Sequence, residues 1–221
     1  MQNTQPQILI IDLGSQYTEI IRRSLRYLGF HSIILPPSKS PGWIKENKNG
    51  LKSVILSGGS ASVYEKNAPK IEKELLNLGV PLLGICYGMQ WLAYIHDKKT
   101  VHHVKEGKSY GPVKVSLKKS ILFEKLPKSI NAWSSHGDSV RQAPNGFRIV
   151  ATSKRGKVIE AMECVMKKFY AVQFHPEVEE TEDENIILNN FVRRICDARQ
   201  DYFKKDIIKE IRENTKKILG K

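Results

Sequence analysis

The stretch Val80-Pro-Leu-Leu-Gly-Ile-Cys-Tyr-Gly-Met-Gln-Trp-Leu-Ala93 constrains the fold more than any other part of this chain. A short apolar run bounded by Pro81 and Gly84 reads as a buried strand, and the spacing of Met89, Leu92 and Ala93 predicts a helix. Cys86 then stands on a sharp strand-to-helix turn, the geometry of a nucleophile elbow with cysteine in place of serine. Gly84 and Gly88 flank it without side chains, so strand, turn and helix can approach closely while Cys86 projects outward. The start of a helix favours a negative group, which suits a thiolate. A cysteine in an arbitrary place is more often structural; glycines on both sides turn this one into a candidate nucleophile.

The rest of the N-terminal half repeats the strand-then-helix rhythm. Gln7 to Leu13 is apolar at successive positions, as parallel strands covered on both faces are. Tyr17 to Leu28 is helical by the spacing of Ile20, Ile21, Leu25 and Leu28, with Gly29 as its stop. Phe30 to Leu35 and Leu51 to Leu56 read as strands, with a short helix between them around Trp43 to Asn47. Pro69 opens a predicted helix carrying Ile71, Leu75, Leu76 and Leu78, closed by Gly79. Such alternation predicts an α/β fold: a doubly wound, mostly parallel central sheet with flanking helices. In such sheets ligands bind outside the carboxyl ends of the strands, where Gly58-Gly59 and Cys86 both fall. After His96 the pattern changes to short strand-like segments, predicting a small antiparallel addition: Val101 to Lys105, Val113 to Leu117, Ala132-Trp133, Phe147 to Thr152, Val158 to Met162 and Phe169 to Phe174. Glu182 to Arg199 and Asp206 to Leu219 return to helical spacing.

Composition excludes several classes. Three cysteines, Cys86, Cys164 and Cys196, are too few and too widely spaced for a disulfide framework or a paired metal site, which predicts a reducing cytoplasm and no metal. No apolar run approaches the roughly 20 residues of a membrane span, and Met1 to Pro6 lacks the order of a signal peptide. A net charge of +13 raises the question of nucleic acid. The lysines are scattered, however, with few aromatics among them, so neither nucleic acid nor membrane is expected as a partner. A basic surface serves a phosphorylated ligand or an acidic partner domain equally well.

A thiolate nucleophile needs a proton carrier and a group to orient it. Phe174-His175-Pro176-Glu177 follows the apolar strand Tyr170 to Phe174, and in extended backbone His175 and Glu177 can face the same way. His96 and His102-His103 have no partners at metal spacing and read as surface or core residues. His136 lies in the polar loop Ser134-Ser135-His136-Gly137-Asp138.

Taken together, these blocks resemble the class I glutamine amidotransferases, the triad glutaminases, and among them the amidotransferase domains of GMP synthases. The likeness covers about residues 7 to 196. Its blocks are Ile11-Asp12-Leu13-Gly14-Ser15-Gln16-Tyr17, Leu56-Ser57-Gly58-Gly59, Gly84-Ile85-Cys86-Tyr87-Gly88-Met89-Gln90 and Val172-Gln173-Phe174-His175-Pro176-Glu177. Ser135-His136-Gly137-Asp138 is similar to a loop that sets the GMP synthases apart. Two positions depart from the pattern: Ser60 stands where a proline usually follows the glycine pair, and Lys108-Ser109 replaces an Arg-Glu.

The resemblance implies that Cys86 attacks the side-chain amide of L-glutamine, that His175 passes a proton to the leaving ammonia, and that Glu177 orients His175. The backbone N–H groups of Gly59 and Tyr87 would form the oxyanion hole. Gly58, Gln90, Ser135, His136, Gly137 and Asp138 would hold glutamine. No cofactor is implied for this chain. ATP and Mg2+ would belong to an ATP-pyrophosphatase synthetase domain, in cis or in trans, that aminates XMP to GMP with the ammonia. No Walker A or G-x-G-x-x-G pattern occurs here. The expected organisation is an amidotransferase domain over residues 1–198 and an amphipathic tail over 199–221 leading toward that synthetase. Rival readings are a triad glutaminase serving anthranilate, aminobenzoate or carbamoyl phosphate synthesis, a cysteine peptidase on a similar sheet, and a basic interaction module that does no chemistry.

Overall fold

The computed structural model describes residues 5–103 and 109–203, with Ile208, Arg212, Thr215 and Lys216 beyond them. The expected helix over Asp206 to Leu219 therefore lies largely outside the described residues. Within the described part, nine strands form one sheet. Its first five are parallel: β2 (Ser32–Leu35), β1 (Ile8–Ile11), β3 (Ser53–Leu56), β4 (Leu82–Ile85) and β11 (Phe169–Val172). Antiparallel strands continue the same sheet: β10 (Val158–Cys164), β9 (Arg148–Ser153), β6 (Ser109–Leu117) and β7 (Ser129–His136). A separate ribbon pairs β5 (Val101–His103) with β8 (Asp138–Val140), a strand too short to show a pattern in the sequence.

The central strands are buried on both faces because their side chains feed two cores. In β1, Ile8 and Ile10 pack into one, Leu9 and Ile11 into the other. Helix α1 (Thr18–Tyr27) covers the first face with Ile21 and Leu25, beside Ile187, Leu188 and Phe191. Helices α2 (Ser40–Asn47) and α3 (Tyr87–His96) cover the second with Ile44, Met89, Leu92 and Ala93. Helix α4 (Glu184–Asn189) runs into a wider turn over Asn190–Ile195, and Asp197 at φ +49° ends it two residues before the predicted stop.

The predicted helix after Pro69 is replaced by a 3-10 segment over Lys73–Asn77. Glu72 is still extended at ψ 135°, and Gly79 turns left-handed at φ +74°. Too little chain remains between them to repay helix nucleation, so a tighter turn forms with Leu75 as its buried anchor.

Residues 199–203 pack back on the domain. Asp201 accepts from the His31 N–H at 2.9 Å, Gln200 Nε2 donates to the Leu28 carbonyl at 2.7 Å, and the Tyr202 ring stacks on His31.

Candidate active site

Strand β4 delivers Cys86 to the carboxyl edge of the sheet, and α3 begins at the next residue. Cys86 has φ +51° and ψ −104°, strain that a residue other than glycine accepts only where the surroundings hold it. The surroundings are the two glycines. A Cβ on Gly84 would lie 2.6 Å from the Gly88 carbonyl, and one on Gly88 would lie 2.6 Å from the Leu56 carbonyl oxygen. The Gly88 N–H donates to the Ser57 carbonyl at 3.2 Å, which ties the first turn of α3 to the end of β3.

His175 arrives from β11, the parallel neighbour of β4. Its backbone N–H donates to the Trp133 carbonyl at 2.9 Å, and its carbonyl accepts from Thr181 Oγ1 at 2.6 Å. The His175 side chain shares the cleft wall with Cys86, whose Sγ donates to the Ser135 carbonyl at 3.8 Å. His175 Nδ1 donates to Glu177 Oε1 at 2.8 Å, and both side chains are buried. Burial alone would pull the imidazole down. The Glu177 carboxylate with its hydrogen bond, and the adjoining Cys86, outweigh burial, and His175 is held well above its ordinary 6.5. The Tyr17 ring meets His175 edge-on at 4.7 Å, and Gly58 leaves the other flank clear: a Cβ there would lie 3.0 Å from His175 Cε1.

Gly59 passes close under the first loop, where a Cβ would lie 2.4 Å from the Leu13 carbonyl oxygen. Among the described residues, neither the Gly59 nor the Tyr87 N–H has a backbone acceptor. Two such donors beside a nucleophile are what an oxyanion hole requires.

These groups border a cleft of about 500 Å³ whose walls include Cys86, Gly59, Gln90, His175 and the run Ser135 to Asp138. Of the residues expected from the sequence, Glu177, Gly58 and Tyr87 stand behind this wall. Gln90 reaches across, with Nε2 donating to the Asp138 carbonyl at 2.9 Å. His136 Nδ1 bonds the same carbonyl at 2.9 Å. A carbonyl only accepts, so Nδ1 carries the proton and the other ring nitrogen is a bare acceptor. Burial pushes His136 down to about 4, so it is neutral at pH 7. Sequence reasoning gave no role to Tyr64, His103, Tyr110 or the Gln173 side chain. Gln173 Nε2 lies 3.7 Å from Cys86 Sγ, Tyr110 and His103 line the cleft, and Tyr64 bonds Asp138. Only the i, i+2 relation of Gln173 to His175 was visible in the sequence. No group of acidic, cysteine or histidine side chains suited to a metal ion occurs among the described residues.

The family model for class-I glutamine amidotransferases matches residues 9–195. The chain belongs to this family. Among its amidotransferase relatives, the glutamine-hydrolysing GMP synthase of Brachyspira hyodysenteriae is 42% identical over 218 residues, covering 96% of this chain and 41% of that protein. The corresponding enzyme of Staphylococcus aureus is 40% identical over 220 residues, with 100% and 42% covered. The chain thus spans about two fifths of the length of the curated relatives it matches. A Thermoplasma acidophilum protein, solved as one of the subunits of a GMP synthase, superposes with a TM-score of 0.72 at 30% identity, covering 87% of this chain and 94% of the other. A glutamine amidotransferase from Thermotoga maritima, 21% identical, shares the amidotransferase fold with a TM-score of 0.67 over 87% of this chain and 99% of its own.

Proposed function

We propose that this chain is the glutamine-hydrolysing part of a GMP synthase. The observation that carries the reading is that Cys86 and the hydrogen-bonded pair His175–Glu177 meet at the carboxyl edge of the sheet, Cys86 and His175 lining one cleft wide enough for an amino acid. Cys86 Sγ attacks the side-chain amide carbon of glutamine, and the developing oxyanion is met by the N–H groups of Gly59 and Tyr87. His175 gives its proton to the amide nitrogen as the C–N bond breaks, releasing ammonia and leaving a glutamyl thioester. His175 then takes a proton from water, whose oxygen attacks the thioester carbon, and glutamate leaves with Cys86 restored. Glu177 holds the imidazole in the tautomer this relay needs. Gly58, Gln90, Ser135, His136, Gly137 and Asp138 shape the glutamine pocket.

The partner in this reading is an ATP-pyrophosphatase synthetase domain, in cis or in trans, which uses ATP and Mg2+ to convert XMP and ammonia to GMP. The chain itself needs no cofactor, and its setting is the cytoplasm. Among the described residues no helix is long and apolar enough to cross a membrane. Support for the GMP synthase branch over other triad glutaminases comes from the Ser135-to-Asp138 loop and from the relatives named above.

The test is a glutamine-mimicking chloroketone followed by mass spectrometry, with glutamate release measured in parallel. Label on Cys86, and loss of turnover in Cys86→Ala with an unchanged near-UV dichroism spectrum, are expected. Label elsewhere, or turnover surviving the substitution, refutes the assignment. Adding a separately expressed synthetase domain with ATP and XMP should raise glutamine turnover and yield GMP. Ammonia used for anthranilate or carbamoyl phosphate instead would move the chain to another branch.

A further inference from the structure

Four hydrogen bonds converge on Asp138, and they come from four different segments. Gln90 Nε2 and His136 Nδ1 fix its backbone carbonyl from inside the cleft. Its side chain is fixed by two further groups: Tyr64 Oη donates to Oδ1 at 3.0 Å, and His103 Nδ1 meets the same oxygen at 3.0 Å. The Asp138 side chain is 6% exposed and that of His103 57%, so the histidine sits over the carboxylate as a cover. His103 and Asp138 are also register partners across the β5–β8 ribbon, so their backbones are already held opposite one another.

The two donors to the Asp138 side chain belong to segments that lead away from the reacting groups. Tyr64 lies in the loop that follows Gly58-Gly59, and β5 follows α3, the helix that starts beside Cys86. Both bonds end on Oδ1, which leaves Oδ2 without either of them. Glutamine carries one cationic group, its α-ammonium, and Asp138 is a carboxylate in the cleft wall. A carboxylate clamped through one oxygen presents the other to a cation without first losing side-chain freedom.

We propose that His103 and Tyr64 are positioning residues that aim Asp138 at the α-ammonium of the substrate, and so select amino-acid amides over simple amides. This rests on the glutamine reading of the cleft. It assigns work to a histidine that the sequence offered only as a surface or core residue, and to a tyrosine it passed over.

The experiment uses the full chain with His103→Ala, Tyr64→Phe and the double variant. Loss of one hydrogen bond should raise KM for glutamine roughly 3- to 10-fold, with most of the loss falling on KM rather than kcat. Alkylation of Cys86 by the glutamine-mimicking chloroketone should slow by a similar factor, while alkylation by iodoacetamide, which has no α-ammonium, keeps its rate. His103→Asn, whose amide nitrogen can take the place of Nδ1, should recover most of the loss. His102→Ala is the control, because His102 turns away to the Lys99 carbonyl. Equal slowing with both reagents would show a merely structural role and overturn the proposal, as would an unchanged KM in the double variant. If wild-type chain neither hydrolyses glutamine nor is protected by it from iodoacetamide, the glutamine reading fails and this assignment falls with it.

Discussion

A side chain on Gly84 would have its Cβ 2.6 Å from the carbonyl carbon and oxygen of Gly88. Backbone meets backbone here, so nothing flexible can move aside. Gly84→Ala should therefore push α3 away from β4, costing about 1–3 kcal/mol of stability, the usual range for overpacking. In a domain of this size that is a fall in Tm of roughly 2–4 °C for each kcal/mol. Calorimetry measures the first effect and glutamate release the second, since the displaced turn also misplaces Cys86. A variant with wild-type Tm and turnover would show that the close approach has no role.

Glu177→Gln keeps the shape behind His175 and removes its charge. The raising effect of that charge is then lost against the burial that remains, and His175 should titrate lower than in the wild type, which NMR of the labelled imidazole can follow. The sign for stability follows from the raised value in the wild type. A histidine raised by folding stabilises fully below 6.5, and that contribution is lost as pH rises through the folded-state value. The Tm gap between wild type and variant should accordingly be widest near pH 6 and shrink as the pH climbs above neutral. Turnover should fall on the order of 10²-fold or more, yet less than in His175→Ala, because an orienting carboxylate is partly replaceable and a proton carrier is not.

Gly59→Val tests the oxyanion hole. Its Cβ would fall 2.4 Å from the Leu13 carbonyl oxygen, so the loop must shift and carry the Gly59 N–H with it. Losing one such donor costs about 10²–10³ in rate in other enzymes, and the loss should appear in kcat. An effect confined to KM would contradict the role.

Glu160 is fully buried on β10, with Ser153 Oγ donating to Oε1 at 2.6 Å and no partner for Oε2 among the described residues. Burial raises its pKa above the ordinary 4.5. A group raised by folding stabilises below its unfolded pKa and loses that contribution as pH rises through the folded value. Glu160→Gln carries no charge to desolvate, so its Tm relative to wild type should improve as the pH rises above 4.5 and level off once the pH has passed the folded value. A difference that stays constant as the pH rises from 4.5 would show that Glu160 ionises freely.

The sequence revealed the turn at Cys86 because its requirements are local. Two glycines and a change of apolar period within fourteen residues leave one way to build a strand, a tight turn and a helix. The same holds for β1 and α1, whose side-chain periods are read from consecutive residues. Where local signals compete, the reading failed. Ile71, Leu75, Leu76 and Leu78 have helical spacing, but the extended backbone at Glu72 and the turn at Gly79 leave them a single 3-10 segment.

What the chain's own order determined by itself was the set of elements and the chemistry carried at their ends: a nucleophile at one strand's edge, a histidine and carboxylate at another's. Only the tertiary structure decided which edges meet. Strand β11 inserts between β4 and β10, parallel to the first and antiparallel to the second, and that pairing brings His175 to a cysteine 89 positions earlier in the chain. Likewise, the pairing of β5 with β8 turns His103 from a surface residue into a neighbour of Asp138. Side-chain period reports which face of an element is buried; it carries no information about the partner, because strand pairing is made by backbone groups that every residue has in common.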